Sequence, residues 1–195
     1  LYAELKGLKL VVKNIAFDAI LNDVNAGYSD MGMAGMTVNE DRLVSNDFTT
    51  AYYQASQKII VAADNTDFDN CKTAEDVENV IKALSGKKIG YQTGTTGNWY
   101  VAGDADWGFD GFSNVEAKSY NTAQLAIQDL VNGQIYAVVV DEAPGAVMVE
   151  AINGIKDFNK LWTIFTNALS QKTYQDLILK GLYNTLMIAV FGLLI

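Results

Sequence analysis

Apolar residues recur along the chain at two spacings, one typical of strands and the other typical of helices. Alternating or unbroken apolar runs rich in β-branched residues predict strands at Leu8–Ile15, Met31–Ala34, Ser56–Ala63, Lys87–Tyr91 and Ile135–Val140. Apolar residues three and four positions apart predict helices at Phe17–Ala26, Thr73–Gly86 and Asn121–Asn132. We also expect a helix remnant at Tyr2–Leu5 and a short helix opened by a capping box at Thr37–Glu40. Strands that alternate with helices in this way indicate an α/β fold.

The pattern changes near the end of the chain, where polar residues become rare. From Leu177 to Ile195 the sequence is almost wholly apolar, which predicts a segment that enters a membrane. A helix over Gly181–Ile195 would be about 22 Å long, shorter than the roughly 30 Å of a bilayer core. Because Leu1 also lacks an initiator methionine, a signal peptide and a helix cap, we expect a fragment of a longer protein at both ends.

Composition excludes several kinds of site before any motif is considered. The formal net charge of the 195 residues is −9, which disfavours binding to nucleic acid. The chain contains no histidine, so Ser-His-Asp triads, Cys-His pairs and histidine-ligated metal sites are excluded. Cys71 is the single cysteine, so no internal disulfide can form. Arg42 is the only arginine among 14 basic residues, which indicates that the guanidinium itself is needed there.

Gly35, Thr37 and Arg42 lie where a predicted strand is followed by a predicted helix. Glycine allows a ligand to approach the backbone closely, and the free N–H groups of a helix N-terminus favour anions. Arg42 adds a planar pair of donors that matches a carboxylate. The alternative interpretation is a surface arginine paired with Glu40 or Asp41.

Two further junctions follow predicted strands. The stretch Gln92–Gly97, with the sequence QTGTTG, is suited to hold an anion by N–H and hydroxyl groups, although a plain turn explains it equally well. Asp141 follows Ile135–Val140 at the strand end where open α/β sheets bind ligands, and its carboxylate suits an ammonium group. The alternative is a cap for the helix near Pro144. Together the three junctions complement a zwitterion rather than a nucleotide.

Two other groups of residues are less suited to a binding site. The acidic loop residues fail the spacing of an EF-hand and are interpreted as solvated: Asp104, Asp106 and Asp110. The tryptophans are interpreted as packing residues: Trp99, Trp107 and Trp162.

Four stretches, in this order, resemble the bacterial solute-binding proteins of family 3, the receptors of ABC importers for polar amino acids. They are AGMTVNEDR (34–42), DFTTAYYQASQKIIV (47–61), GKKIGYQTGTTG (86–97) and GQIYAVVVDEAP (133–144), and the resemblance covers residues 1 to about 155. It implies a periplasmic-binding-protein-like two-lobed clamp of type II, incomplete because the first strand of the family would precede Leu1. The implied division is a partial first lobe over residues 1–62, a second lobe over residues 63–155, and a linker helix with the start of a permease transmembrane helix over residues 156–195.

The resemblance also implies which residues contact a bound amino acid. They are Phe17, Gly35, Thr37, Arg42, Gln92, Thr95, Thr96 and Asp141. Arg42 would take the α-carboxylate and Asp141 the α-ammonium, while the threonines of the TGTTG loop would add hydroxyl and N–H groups. Phe17 would form a wall of the side-chain pocket and Gln92 would touch the ligand side chain. This uncharged pair favours a glutamine-like ligand over an arginine-like one.

The function that the resemblance implies is an extracytoplasmic, membrane-anchored receptor that catalyses nothing and needs no metal or cofactor. The end of the chain resembles the start of an amino-acid ABC permease subunit, as in the receptor–permease fusions of Gram-positive bacteria, and a separate subunit would hydrolyse ATP. Two alternatives stay open. One is a degenerate or regulatory amino-acid-binding module; the other is a dehydratase-like enzyme of the same fold, with Asp141 or Glu142 as general acid.

Overall fold

The computed structural model describes residues 2–154. Residues 1–146 form one compact unit, and a second unit begins at Val147. The helices are α1 (Tyr2–Leu5), a 3-10 turn (Phe17–Ala19) that precedes α2 (Ile20–Asn25), α3 (Glu40–Leu43), α4 (Ala74–Ala83), α5 (Thr96–Ala102) and α6 (Ala123–Val131), and residues 142–154 are also helical. The strands are β1 (Gln57–Val61), β2 (Lys88–Gln92), β3 (Glu116–Tyr120) and β4 (Ala137–Asp141).

These four strands form a mixed sheet in the order β1-β4-β2-β3. Strand β2 runs parallel to both β3 and β4, whereas β1 runs antiparallel to β4. The unbroken apolar strand β4 lies inside the sheet with Ala137–Val140 buried, as expected for a strand covered on both faces. Helices α5 and α6 pack against β2 and β4. The sheet and its helices confirm the predicted α/β class.

Buried apolar side chains between the sheet and its helices form the core. The largest fully buried ones are Ile81, Ile89, Val101, Ile127 and Val138. They come from α4, β2, α5, α6 and β4, so burial of their apolar surface holds the strands against the helices. The core therefore fixes the positions of the carboxyl ends of β2 and β4, where the loops that follow these strands begin.

Polar caps determine where the helices begin. The hydroxyl of Thr73 accepts the N–H of Asp76 at 3.1 Å, and the Asp76 carboxylate accepts the N–H of Thr73 at 2.9 Å, which is a capping box where the predicted helix begins. The hydroxyls of Thr95 and Thr122 cap α5 and α6 by accepting the N–H groups of Asn98 and Leu125. The cap of α3 differs from the prediction, because Asn39 rather than Thr37 caps the helix, its side-chain oxygen accepting the N–H of Arg42 at 2.9 Å.

Two of the predicted strands are wrong. The segments Leu8–Ile15 and Met31–Ala34 form no strand, and Val12 and Met33 are 83% and 78% exposed. A strand needs a neighbouring strand that exchanges backbone hydrogen bonds with it. Within residues 2–154 no strand pairs with either segment, so neither segment becomes part of the sheet.

The position of β1 bears on the predicted division into lobes. It pairs with β4 along its whole length, with Gln57 opposite Asp141 and Val61 opposite Ala137. Strand β1 is therefore an edge of the same sheet that contains β2, β3 and β4. The predicted boundary after residue 62 would separate β1 from the strand with which it pairs, and the division into lobes stays a prediction.

The linker and the permease helix predicted over residues 156–195 lie outside the described residues. Between residues 2 and 154, no helix combines the length and the apolar character needed to cross a bilayer. The membrane segment therefore stays a prediction.

Tyr100 provides a test of the core by pH titration. Its ring packs edge-on against Phe112, and its hydroxyl donates to the Glu78 carboxylate at 3.3 Å. Burial, followed by the charge of Glu78, raises the pKa of Tyr100 to about 12. Since the pKa is raised in the folded state, the neutral Tyr100 hydroxyl contributes to the stability of the fold below the ordinary pKa near 10. That contribution is lost as the pH rises towards 12. We expect one phenolate to appear late in an absorbance titration and to be missing in Tyr100→Phe; an unchanged late phase in that variant would contradict this interpretation.

Candidate functional site

The guanidinium of Arg42 joins two distant parts of the chain. Its Nη1 donates to the carbonyl oxygen of Thr37 at 2.5 Å, and its Nη2 donates to the carbonyl oxygen of Gly94 at 2.9 Å. Thr37 precedes α3, whereas Gly94 lies in the loop between β2 and α5. The hydroxyls of Thr37 and Thr96 lie 3.2 Å apart and form a second contact between the same two segments.

Two aromatic rings flank the same guanidinium. The Cζ atom of Arg42 lies 4.9 Å from the ring centroid of Trp99 and 5.8 Å from that of Phe17. Both distances are within the range of a cation–π interaction. Trp99 stacks in turn on Trp107 with ring centroids 4.2 Å apart. We refer to Phe17, Thr37, Arg42, Gly94, Thr96 and Trp99 as the Arg42 site.

The charge of Arg42 has no ionic partner in the described part of the chain. None of the ion pairs among residues 2–154 includes it, so the alternative pairing with Glu40 or Asp41 does not form. Burial lowers the pKa of the Arg42 guanidinium from its ordinary value, because desolvation disfavours the charged form. An arginine nevertheless stays protonated. The site therefore holds a partly buried cation that is bonded only to neutral carbonyls.

The loop after β2 is shaped by Gly94 and Thr95. Gly94 has a φ of +73°, and a β-carbon there would lie 3.3 Å from the Cβ of Asp18, so a side chain would be strained and crowded. The Thr95 hydroxyl donates to the carbonyl oxygen of Gln92 at 2.7 Å and caps α5. Of the two loop threonines predicted at the ligand, Thr95 is thus engaged in local structure, and Thr96 reaches Thr37.

Gly35 and Gln92 are engaged outside the Arg42 site. The N–H of Gly35, whose φ is +61°, donates to the hydroxyl of Tyr52 at 3.0 Å. The amide of Gln92 donates to the carbonyl oxygen of Asn121 at 3.3 Å. The hydrogen bonds found in residues 2–154 connect neither residue to Arg42, and the predicted contacts of both with a ligand stay predictions.

Asp141 is the last residue of β4. The loop after β2 begins at the same end of the sheet, because the two strands are parallel. Tyr91 is opposite Val139 in the parallel pair β2–β4, and two residues further on lie Thr93, the first residue after β2, and Asp141, the last residue of β4. The Asp141 carboxylate accepts a hydrogen bond from the side-chain amide of Gln57. It forms no ion pair with a lysine or arginine of the described segment. Its negative charge is therefore not neutralised by those residues.

Sequence reasoning missed two members of this region. Trp99 was interpreted as a packing residue, yet its ring lies beside Arg42 as well as against Trp107. Its position three residues after Thr96, one turn along α5, is the signal that could have placed it near the loop. Gln57 was not singled out, because its proximity to Asp141 depends on the register of β1 against β4.

The charged groups at Arg42 and Asp141 complement a molecule that carries both charges. A guanidinium and hydroxyl groups suit a carboxylate, while an unneutralised carboxylate suits an ammonium group. The acidic residues of the described segment form no cluster that could hold a metal ion. In the loop after α5, the Asp104 carboxylate instead accepts the N–H groups of Asp106 and Trp107.

Comparison with known proteins identifies the class. A sequence model of the bacterial extracellular solute-binding proteins, family 3, matches residues 1–188. The chain belongs to this family. The match extends beyond residue 155, where the resemblance recognised in the sequence ends.

Named relatives of the chain are amino-acid-binding proteins. The ABC transporter arginine-binding protein 1 of Escherichia coli K12 is 32% identical over 130 residues, which are 67% of this chain and 46% of that protein. An ancestral arginine-binding protein solved with arginine is 33% identical with a TM-score of 0.62, over 76% of this chain and 59% of that one. An ancestral arginine-binding protein solved with glutamine is 32% identical with a TM-score of 0.60, over 78% and 59%. The chain spans about half the length of the curated relatives that it matches.

Proposed function

We propose that the chain binds a polar α-amino acid and that Arg42 holds its α-carboxylate. The observation that carries this proposal is a partly buried guanidinium without a carboxylate partner in residues 2–154. Burying a cation without a counterion costs free energy. A bound carboxylate would offset that cost through two parallel hydrogen bonds. Arg42 would then exchange its bonds to the carbonyl oxygens of Thr37 and Gly94 for bonds to the ligand.

Asp141 is the proposed partner of the α-ammonium. Its carboxylate receives a hydrogen bond from a neutral amide, so its charge stays available for a cation. It leaves the sheet at the same edge as the loop that contains Gly94 and Thr96. The hydroxyls of Thr37 and Thr96 would complete the polar lining between the two charged ends.

Calorimetric titration of the chain with polar amino acids tests the proposal. We expect saturable binding of one molecule per chain and no chemical change in the ligand. Chemical turnover would instead support the dehydratase-like alternative, and failure to bind any amino acid would support the degenerate module. Arg42→Ala, described in the Discussion, ties the measured binding to this site.

A glutamine-like side chain is proposed for the ligand. The aromatic faces of Phe17 and Trp99 are already beside one guanidinium, so a second one in the same place would meet a like charge. Gln92 brings an uncharged amide to the end of β2. An ancestral relative has been solved with glutamine. The name of the E. coli relative and the arginine-bound ancestral structure support the opposite preference.

Competition between ligands distinguishes the two preferences. We expect arginine to bind about tenfold more weakly than glutamine, a difference of about 1.4 kcal/mol. Citrulline, which has nearly the shape of arginine without its charge, is the matched control and should bind more tightly than arginine. Tighter binding of arginine than of glutamine would overturn the proposed side-chain preference.

We further propose that the protein acts outside the cytoplasm as the receptor of an ABC importer. The description of its family as extracellular and the name of the E. coli relative support this context. In it, a permease would receive the amino acid and a separate subunit would hydrolyse ATP. The fused permease, the membrane anchor and the Gram-positive source rest on the sequence resemblance, and they stay predictions.

A further inference from the structure

We propose that Gln57 is a positioning residue for Asp141, an inference that rests on the proposed binding of an amino acid. Gln57 begins β1, the antiparallel edge strand, and lies directly opposite Asp141 at the end of β4. Its side-chain Nε2 donates to Oδ1 of Asp141. The two residues are far apart in the sequence, and the register of β1 on β4 brings them together.

The orientation of the Gln57 amide follows from the chemistry of its partner. An ionised carboxylate only accepts hydrogen bonds, so the NH₂ group faces Asp141 and the carbonyl oxygen points away from it. That oxygen, Oε1, is buried from solvent and has no hydrogen-bond partner among residues 2–154. A buried, unpartnered acceptor costs free energy. The amide is therefore held in this orientation by its bond to Asp141 rather than by its other end.

The other side of the Gln57 amide faces the first turn of α5. A β-carbon on Gly97 would lie 3.2 Å from Gln57 Oε1 and 3.0 Å from the carbonyl oxygen of Val139. Glycine at this position lets the helix that carries Thr96 approach both β4 and the amide. Gln57 thus lies between the helix whose first residue reaches Thr37 and the carboxylate proposed to bind the α-ammonium.

A neutral donor is suited to this role. A lysine or arginine in place of Gln57 would fix the Asp141 carboxylate but would also cancel its charge. An amide restricts the carboxylate to one orientation and leaves the full negative charge for the ligand. Such preorganisation reduces the ordering cost that binding would otherwise incur.

Binding of two ligands by the full chain tests the inference. Glutamine carries an α-ammonium group, and glutaramate is the same molecule without it. We expect Gln57→Leu to weaken glutamine binding by about tenfold, because the ligand must then order the Asp141 carboxylate at a cost of about 0.5–1.5 kcal/mol, and to leave glutaramate binding within about twofold. The ratio of the two affinities is the readout that a general loss of structure would not change. Gln57→Asn, whose amide is one methylene shorter, should give the same selective loss.

The controls separate failure of this inference from failure of the proposed function. Lys58→Leu alters the next residue of β1, whose exposed side chain pairs with Glu142, and should leave both affinities unchanged. Asp141→Asn should show the selective loss of glutamine binding if Asp141 holds the ammonium. If Asp141→Asn shows that loss and both Gln57 variants bind like the unmodified chain, or lose both ligands equally, the role of Gln57 is wrong. If the unmodified chain does not bind glutamine, or Asp141→Asn has no selective effect, the proposed site is wrong and this inference falls with it.

Discussion

Replacement of Arg42 by alanine is expected to weaken amino-acid binding by at least about thirtyfold. The variant removes the proposed partner of the α-carboxylate, and loss of one member of a desolvated charge pair costs about 2–5 kcal/mol. Each 1.4 kcal/mol corresponds to about a factor of ten in affinity. Arg42→Lys should restore binding only in part, because lysine keeps the charge but cannot bond to both carboxylate oxygens in one plane. Titration calorimetry of the three proteins with glutamine measures the effect.

The control for Arg42→Ala removes one positive charge elsewhere. Lys82 on α4 pairs only with Glu78 in the described residues, and Lys82→Ala should leave the affinity unchanged. The structure places Arg42 beside Trp99 and bonded to two carbonyl oxygens. Arg42→Ala should therefore also lower the free energy of unfolding, by about 1 kcal/mol. If the alanine variant binds within threefold of the unmodified chain, Arg42 does not hold the carboxylate.

Ile89→Ala is expected to lower the free energy of unfolding by about 2–5 kcal/mol. Ile89 is the second residue of β2 and has no exposed surface, and it belongs to the core cluster that also contains Ile81 and Val101. Alanine removes buried methyl groups and leaves a cavity, because β2 is held on both sides by β3 and β4 and cannot collapse inwards. Domains of this kind have a total stability of about 5–15 kcal/mol. The change is thus a large part of the total, and urea unfolding measures it.

Two further variants define the scale of that effect. Ile89→Val removes one methylene group and should cost about 0.5–1.5 kcal/mol. Leu125→Ala on α6 truncates a side chain that is 48% exposed and should change stability by no more than about 0.5 kcal/mol. A loss in Ile89→Ala no larger than that in Leu125→Ala would contradict the packing of the core around β2.

The parts of the fold that were predictable are those that local signals specify. The capping box at Thr73 and the unbroken apolar run of β4 each identify their element without reference to the rest of the chain. Strand β3 was missed, since its sequence EAKSY has no apolar alternation and it lies at the sheet edge, where half of its hydrogen-bonding groups need no strand partner. The error at Leu8–Ile15 has the opposite cause, because an apolar alternation predicts a strand but cannot supply its neighbour.

The candidate site likewise contains residues that the local sequence identifies and residues that only the fold brings together. Arg42 was identifiable as the sole arginine after a glycine and a threonine, and Asp141 as the acidic residue after a buried strand. The proximity of Trp99 to Arg42 depends on how α5 packs beside the segment before α3, and that of Gln57 to Asp141 depends on strand register. Neither relation has a signal within a single stretch of sequence.

The stacking of Trp99 between Arg42 and Trp107 has an optical consequence. Indole emission depends on the charges next to the ring. The guanidinium carbon of Arg42 lies 4.9 Å from the ring centroid of Trp99, and the ring centroid of Trp107 lies 4.2 Å from it. A carboxylate that draws Arg42 away from Trp99, or pairs with its charge, changes the field at the indole. If Arg42 holds the ligand as proposed, Trp99 is an intrinsic fluorophore beside the bound carboxylate, and we expect ligand exchange to change the emission in stopped-flow fluorescence on the unlabelled chain.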